Sequence, residues 1–235
     1  MKILALETSA VTASVAVTED DILLAQSFQN SGLTHSATLM PMAADLLKNT
    51  GLKLDEIDVI AVAAGPGSFT GVRIGVAAAK GLAWPGDKPC APCSTLKSMA
   101  WQCAHMNGEI CAVMDARRKQ VYNARFLAKD GVITRLTEDR AIAVEDLVEE
   151  VKASGATQIL VGDGAKLCAA AFEAADVPMV VMPPHMVFQT AWGVAREAVE
   201  LVKENKLVPA GQLNPEYHRL SQAERERLER ENEQK

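Results

Sequence analysis

Two stretches of this chain repeat one another, and the repeat constrains the fold more than any single motif does. Residues 2–6, 12–18 and 22–28 read as three strands, with Asp20-Asp21 turning the second into the third. A helix over 34–49 places Leu39, Met42, Ala43, Leu46 and Leu47 on one side and stops at Gly51. A strand over 59–64 and a helix over 70–83 complete the first copy. From Ile110 the series restarts, with strands over 110–114, 121–127 and 132–136, a helix over 144–153, a strand over 159–161 and a helix over 166–175. Each copy is therefore strand, strand, strand, helix, strand, helix. In both, the first strand ends at a carboxylate, Glu7 or Asp115, and the fourth runs into a glycine loop, Gly65-Pro-Gly67 or Gly162-Asp-Gly164. The expected fold is α/β with a mixed sheet in each of two lobes, 1–105 and 106–188. A long helix over 189–206 returns to the first lobe, and 207–235 form a C-terminal segment. Its charged run from Glu224 reads as a solvated helix or frayed tail.

The junction over residues 65–75, Gly-Pro-Gly-Ser-Phe-Thr-Gly-Val-Arg-Ile-Gly, joins a buried-type strand to an Ala-rich helix. It lacks the Gly-Lys-Ser/Thr of a Walker phosphate loop, and Ser68 lacks the flanking glycines of a hydrolase elbow. Its backbone N–H groups at a helix N-terminus form a setting suited to an anion. Gly71 and Gly75 share one helical face with Ala79. An interior helical glycine costs about 1 kcal/mol against alanine, so another backbone must pack closely there. Two readings remain open: a docking face for a partner helix, together with Leu39, Met42 and Ala78, or packing on the chain's own sheet.

A chain of 235 residues, nearly half apolar, buries a full core. Its net charge of −6 disfavours direct binding of nucleic acid, whose phosphates need accumulated Lys and Arg. The apolar run before Glu7 is too short for a signal-peptide core, and no stretch is long enough to cross a membrane, so a cytoplasmic location is expected. Five cysteines in apolar surroundings read as reduced thiols. Cys90-Ala-Pro-Cys93 is held extended by its prolines and does not open a helix as a redox pair would. The four histidines, His35, His105, His185 and His218, are never closer than 33 residues, so no paired-histidine metal helix exists.

The duplicated pattern resembles the actin, Hsp70 and sugar-kinase superfamily, whose ribonuclease H-like lobes enclose a nucleotide cleft. Within it, Gly-Pro-Gly-Ser-Phe-Thr-Gly-Val-Arg-Ile-Gly resembles the TsaB (YeaZ) family. So do Ile3-Leu4-Ala5-Leu6-Glu7-Thr8-Ser9, the helix from His35 to Leu47 with Pro41, Ser94-Thr95-Leu96, Asp115-Ala116-Arg117 before Val121-Tyr122, and Pro215-x-Tyr217-x-Arg219. The chain departs from that family at Glu7, where Asp is usual, and at Leu33-Thr34-His35, where Arg-Glu-His is common. The resemblance implies a non-catalytic subunit that pairs with TsaD and the ATPase TsaE to form threonylcarbamoyladenosine in tRNAs reading codons that begin with A. It also permits a homodimer through the same face. Any ATP would belong to TsaE and any metal to TsaD, with tRNA reached only through the complex. Glu7, Thr8, Ser9, Asp115, Gly162 and Gly164 are then positions of a vestigial nucleotide cleft. The competing reading is an ATP-dependent phosphotransferase of the same fold; a peptidase lacks its motifs.

Overall fold

The computed structural model describes residues 1–218; the charged run from Glu224 and Arg219 lie outside the described residues. Its strands are β1 (Lys2–Glu7), β2 (Ala13–Glu19), β3 (Ile22–Gln29), β4 (Val59–Gly65), β5 (Cys90–Ser94), β6 (Gly108–Asp115), β7 (Gln120–Lys129), β8 (Val132–Arg135), β9 (Arg140–Ala143), β10 (Gln158–Val161) and β11 (Met179–Val181). The helices are α1 (His35–Thr50), α2 (Phe69–Ala83), α3 (Thr95–Gln102), α4 (Val144–Ser154), α5 (Ala165–Ala174) and α6 (Ala191–Lys203).

Two sheets result, ordered β3-β2-β1-β4-β5 and β8-β7-β6-β10-β11, with β9 paired to β7. The orders are the same in the two copies, so the repeat extends one strand further than the sequence pattern reveals. In both sheets the first three strands pair antiparallel and the last two join in parallel, the mixed α/β arrangement of actin-like lobes.

Alternation along the central strands decides which helix covers which face. Leu4 and Leu6 of β1 pack with Leu39, Ala43 and Leu46 of α1 and Val72, Val76 and Ala79 of α2. Ile3 and Ala5 point the other way, to Ala191, Val194, Ala195 and Ala198 of α6. In the second sheet, Ile110, Ala112 and Met114 face Leu96 and Met99 of α3, while Cys111 and Val113 face Leu147 and Val151 of α4 and Phe172 of α5.

Helices α3 and α6 thus form a middle layer between the sheets. A Cβ at Gly193 would collide with the Ser98 carbonyl, so glycine there sets the close approach of the two helices. The Trp101 indole N–H donates to Glu197 at 3.0 Å, and Lys97 pairs with the same carboxylate at 3.1 Å. Those partners hold a nearly buried acid whose pKa burial nonetheless raises.

All five cysteines are free and buried. Burial pushes the Cys90 thiol up to about 11 and those of Cys103 and Cys168 to about 12, which leaves them protonated and inert. Among the described residues no helix is long and apolar enough to cross a membrane.

Candidate functional site

The two carboxylate-ended turns face each other across a cleft of about 260 Å³, lined among others by Ser9, Ser68, Asp115, Arg117, Tyr122 and Asp163. Of the residues expected there, Ser9 and Asp115 line the cavity, while Glu7, Thr8, Gly162 and Gly164 lie behind its wall. Glu7 is only 1% exposed. One carboxyl oxygen accepts from the Ser9 N–H at 2.5 Å, and the other has no partner among the described residues. Burial, which disfavours the charged form, pushes its pKa up to about 7. Asp163 is also raised, chiefly by burial, although Gln189 donates to it at 2.9 Å. Asp115 is capped by the Arg117 N–H at 2.7 Å, with the Arg117 guanidinium 3.6 Å from its other oxygen. Arg117, Arg118 and Lys119 form the β6–β7 turn, all three left-handed. Among the described residues, no group of three or more His, Cys, Asp and Glu is placed to hold a metal.

The glycine loops differ from the anion-binding expectation. The Ser68 N–H at the start of α2 donates to the Ser9 carbonyl at 2.6 Å, and the Gly71 N–H to the Ser68 hydroxyl at 3.3 Å. A Cβ at Gly67 would stand 2.5 Å from the Ser9 carbonyl oxygen. Gly65, at φ +135°, lies under the Glu216 carbonyl, and the Glu216 N–H donates to Ala64 at 2.7 Å. The loop is thus filled by the chain's own backbone from both sides. In the second loop Gly162, at φ +110°, leaves no room for a side chain beside the Val113 carbonyl, and its N–H donates to Val187 at 2.7 Å. A Cβ at Gly164 would stand 3.0 Å from the Met114 backbone, a tight but less closed contact. Both serve close packing of the loop on the end of β6.

The face carrying Gly71, Gly75 and Ala79 turns inward, which resolves the open choice in favour of intrachain packing. Gly71 meets the Thr8 carbonyl; a Cβ at Gly75 would be 2.5 Å from the Thr8 hydroxyl and 3.2 Å from Val62. Thr8 ties the contact by donating to the Gly71 carbonyl at 2.8 Å. Leu39 is fully buried too, and only Met42 and Ala78 of the expected docking residues are partly exposed. His35 reaches the same turn, with Nε2 2.7 Å from the Ala10 carbonyl.

What α1 and α2 present outward is different. Met40 is 43% and Trp84 71% exposed, and between Arg73 and Trp84 the outer stripe of α2 holds Ala77 and Gly81. Among the described residues no atom outside its own helix turn lies within 4 Å of where a Gly81 Cβ would be, so no close packing there accounts for the glycine. Sequence reasoning passed over Gly81. It also missed the cluster in which Tyr217 stacks on Phe69 and accepts a hydrogen bond from Arg73, a contact between residues 144 apart. The signal available was that both segments carry the family pattern.

The model of the family described as TsaD, tRNA N6-adenosine threonylcarbamoyltransferase, matches residues 29–226. The chain is 32% identical over 231 residues to the tRNA threonylcarbamoyladenosine biosynthesis protein TsaB of Bacillus subtilis, covering 97% of this chain and 99% of that protein. It is 36% identical over 152 residues to the TsaB of Escherichia coli, covering 64% and 65%. The solved structure of YeaZ from Pseudomonas aeruginosa superposes with a TM-score of 0.78 at 26% identity, covering 92% of this chain and 99% of that one. With two actin-like sheets, the glycine junction at the head of α2 and these relatives, the chain belongs to the TsaB family of tRNA threonylcarbamoyladenosine biosynthesis proteins.

Proposed function

We propose that within threonylcarbamoyladenosine synthesis this chain is a non-catalytic subunit that pairs with TsaD, and with TsaE, through the outer faces of α1 and α2. The observation that carries this reading is the outer stripe of α2, where Gly81 lies bare between Arg73 and an exposed Trp84. A helical glycine disfavours the free helix by about 1 kcal/mol, and a partner backbone approaching closely is the contact that would offset it. Arg and Trp at the ends of such a stripe are residue types enriched where protein interfaces concentrate their energy.

The cleft supports the same reading. Its glycine loops direct N–H groups at the chain's own carbonyls, which leaves fewer backbone donors for a polyphosphate. In this reading TsaE uses the ATP and TsaD holds the metal. The tRNA is reached through the complex, consistent with the net charge of −6, and the work is done in the cytoplasm. Residues 1–105 with the helix near 189–206 act as one lobe and 106–188 as the other, supported by the matching sheet orders and by α6 lying on the first sheet. A homodimer would compete for the same helices.

The test is size-exclusion titration of this chain with TsaD from the same cell, with and without TsaE and ATP. A defined complex that modifies tRNA when neither protein alone does so is the expected result. A chain that stays alone and hydrolyses ATP, with turnover lost in Glu7→Ala, would overturn the reading in favour of a phosphotransferase. The helix face has its own check: Gly81→Ala should raise stability by up to about 1 kcal/mol, since the Cβ meets nothing. Gly81→Arg should melt like the parent protein but no longer co-elute with TsaD. Unchanged co-elution would place the docking face elsewhere.

A further inference from the structure

At the N-terminal end of the same stripe, one cation is held in a fixed plane. The Arg73 guanidinium lies over the Phe69 ring, 3.7 Å from its centroid, and 5.6 Å from the centre of the Tyr217 ring. Phe69 and Tyr217 stack on each other at 4.8 Å with 27° between their planes. The Tyr217 hydroxyl accepts from Arg73 Nε at 2.7 Å. Tyr217 is brought there by the segment that crosses the glycine loop, anchored by the Glu216 N–H on Ala64.

These contacts use the face and one edge of the guanidinium and leave its two terminal nitrogens pointing as a fork. Among the described residues no carboxylate lies within ion-pair distance of it, and Arg73 is exposed. An arginine ordinarily loses side-chain entropy when it is immobilised in a contact; here the stack and the hydroxyl have already fixed it. A planar fork with two parallel N–H donors matches a carboxylate. The stripe continues as Ala77, Gly81 and Trp84 rather than as further cations, which suits a protein surface and not a phosphate backbone.

We propose that Arg73 receives an aspartate or glutamate side chain of the partner protein at this end of the docking face, with Phe69 and Tyr217 as positioning residues. The proposal rests on the pairing with TsaD argued above. Calorimetric titration of TsaD with the full chain tests it, using the parent protein, R73K, R73Q and Y217F at low and high salt. R73K keeps the charge and loses the fork, and its affinity should fall on the order of tenfold or more. Y217F should show a smaller loss, and R73Q should flatten the salt dependence. Replacing exposed Asp and Glu residues of TsaD one at a time should find one whose effect is not additive with R73K.

If the parent chain fails to bind TsaD, the pairing reading falls and this site with it. If the parent binds and R73K binds equally well, only the carboxylate site is overturned. An R73K protein that loses self-association while binding TsaD normally assigns the fork to a second copy of this chain and overturns the proposal. So does an R73K effect that vanishes when residues 219–235 are removed, or one seen only in tRNA binding.

Discussion

Replacing Gly75 with arginine should unfold the protein, and Gly71→Ala should cost about 2–3 kcal/mol of stability, at the upper end for overpacking a closed site. The added atoms have nowhere to go. At Gly71 the obstacle is the Thr8 carbonyl, a backbone atom at the end of the central strand β1, and that residue is further tied by its own hydroxyl to the Gly71 carbonyl. At Gly75 the Thr8 hydroxyl and a Val62 methyl close the space. Moving α2 outward to make room would separate Val72, Val76 and Ala79 from Leu4 and Leu6 across the larger core. Urea unfolding of both variants, read against Gly81→Ala on the opposite side of the helix, measures the difference. Parent-like urea midpoints for both would mean that the glycine stripe does not pack on Thr8.

Glu7→Gln should stabilise the protein above neutral pH by on the order of 3 kcal/mol and flatten its pH dependence between about pH 4.5 and 7. The sign follows from proton binding. The folded-state pKa is raised from 4.5 to about 7, so through that window the folded chain holds a proton that the unfolded chain has released. Stability is therefore fully retained below the unfolded value and declines as pH rises through the folded one. A glutamine of the same shape carries no charge to desolvate, so the difference between the two proteins should vanish at the acid end and be greatest at the alkaline end. Asp163 and Glu197, also raised by burial, remain in the variant and should leave it a shallower slope of the same sign. Urea midpoints at several pH values provide the comparison, and identical slopes in the two proteins would remove Glu7 as the source.

The repeated order of elements was legible because most of its strands and helices are long and strongly patterned, and the four-residue strands β8 and β10 fall where the order of the first copy places them. Three strands were not legible. β5 contains Pro92, which reads against a strand, but it lies at the edge of its sheet, where a missing donor is tolerated. β9 and β11 have four and three residues and are largely exposed or half-buried, too short to show a period. The spacing of Gly71, Gly75 and Ala79 correctly demanded a close neighbour but could not say which, since a helix over a parallel sheet and a helix against a partner both favour small residues. The carboxylate at the end of β1 was visible as a residue. Its near-neutral pKa was not, because burial by distant parts of the chain produces it. The stack of Phe69, Arg73 and Tyr217 exists only once the C-terminal segment has crossed the loop.

The placement of α6 on the first sheet bears on how the chain is made. Ile3, Ala5, Ala16, Val59, Ala61 and Ala63 form a continuous apolar face whose cover, Ala191 to Ala198, is translated only after the entire second sheet. As the chain leaves the ribosome, the early sheet carries α1 and α2 on one side and bare hydrocarbon on the other, the kind of surface on which chaperones act and from which aggregates grow. A chain cut short before α6 would keep the stripe that ends at Trp84 yet lack the helix that closes the sheet behind it. A nascent chain that has not yet reached α6 therefore carries an open apolar face on the first sheet, on the side away from α1 and α2.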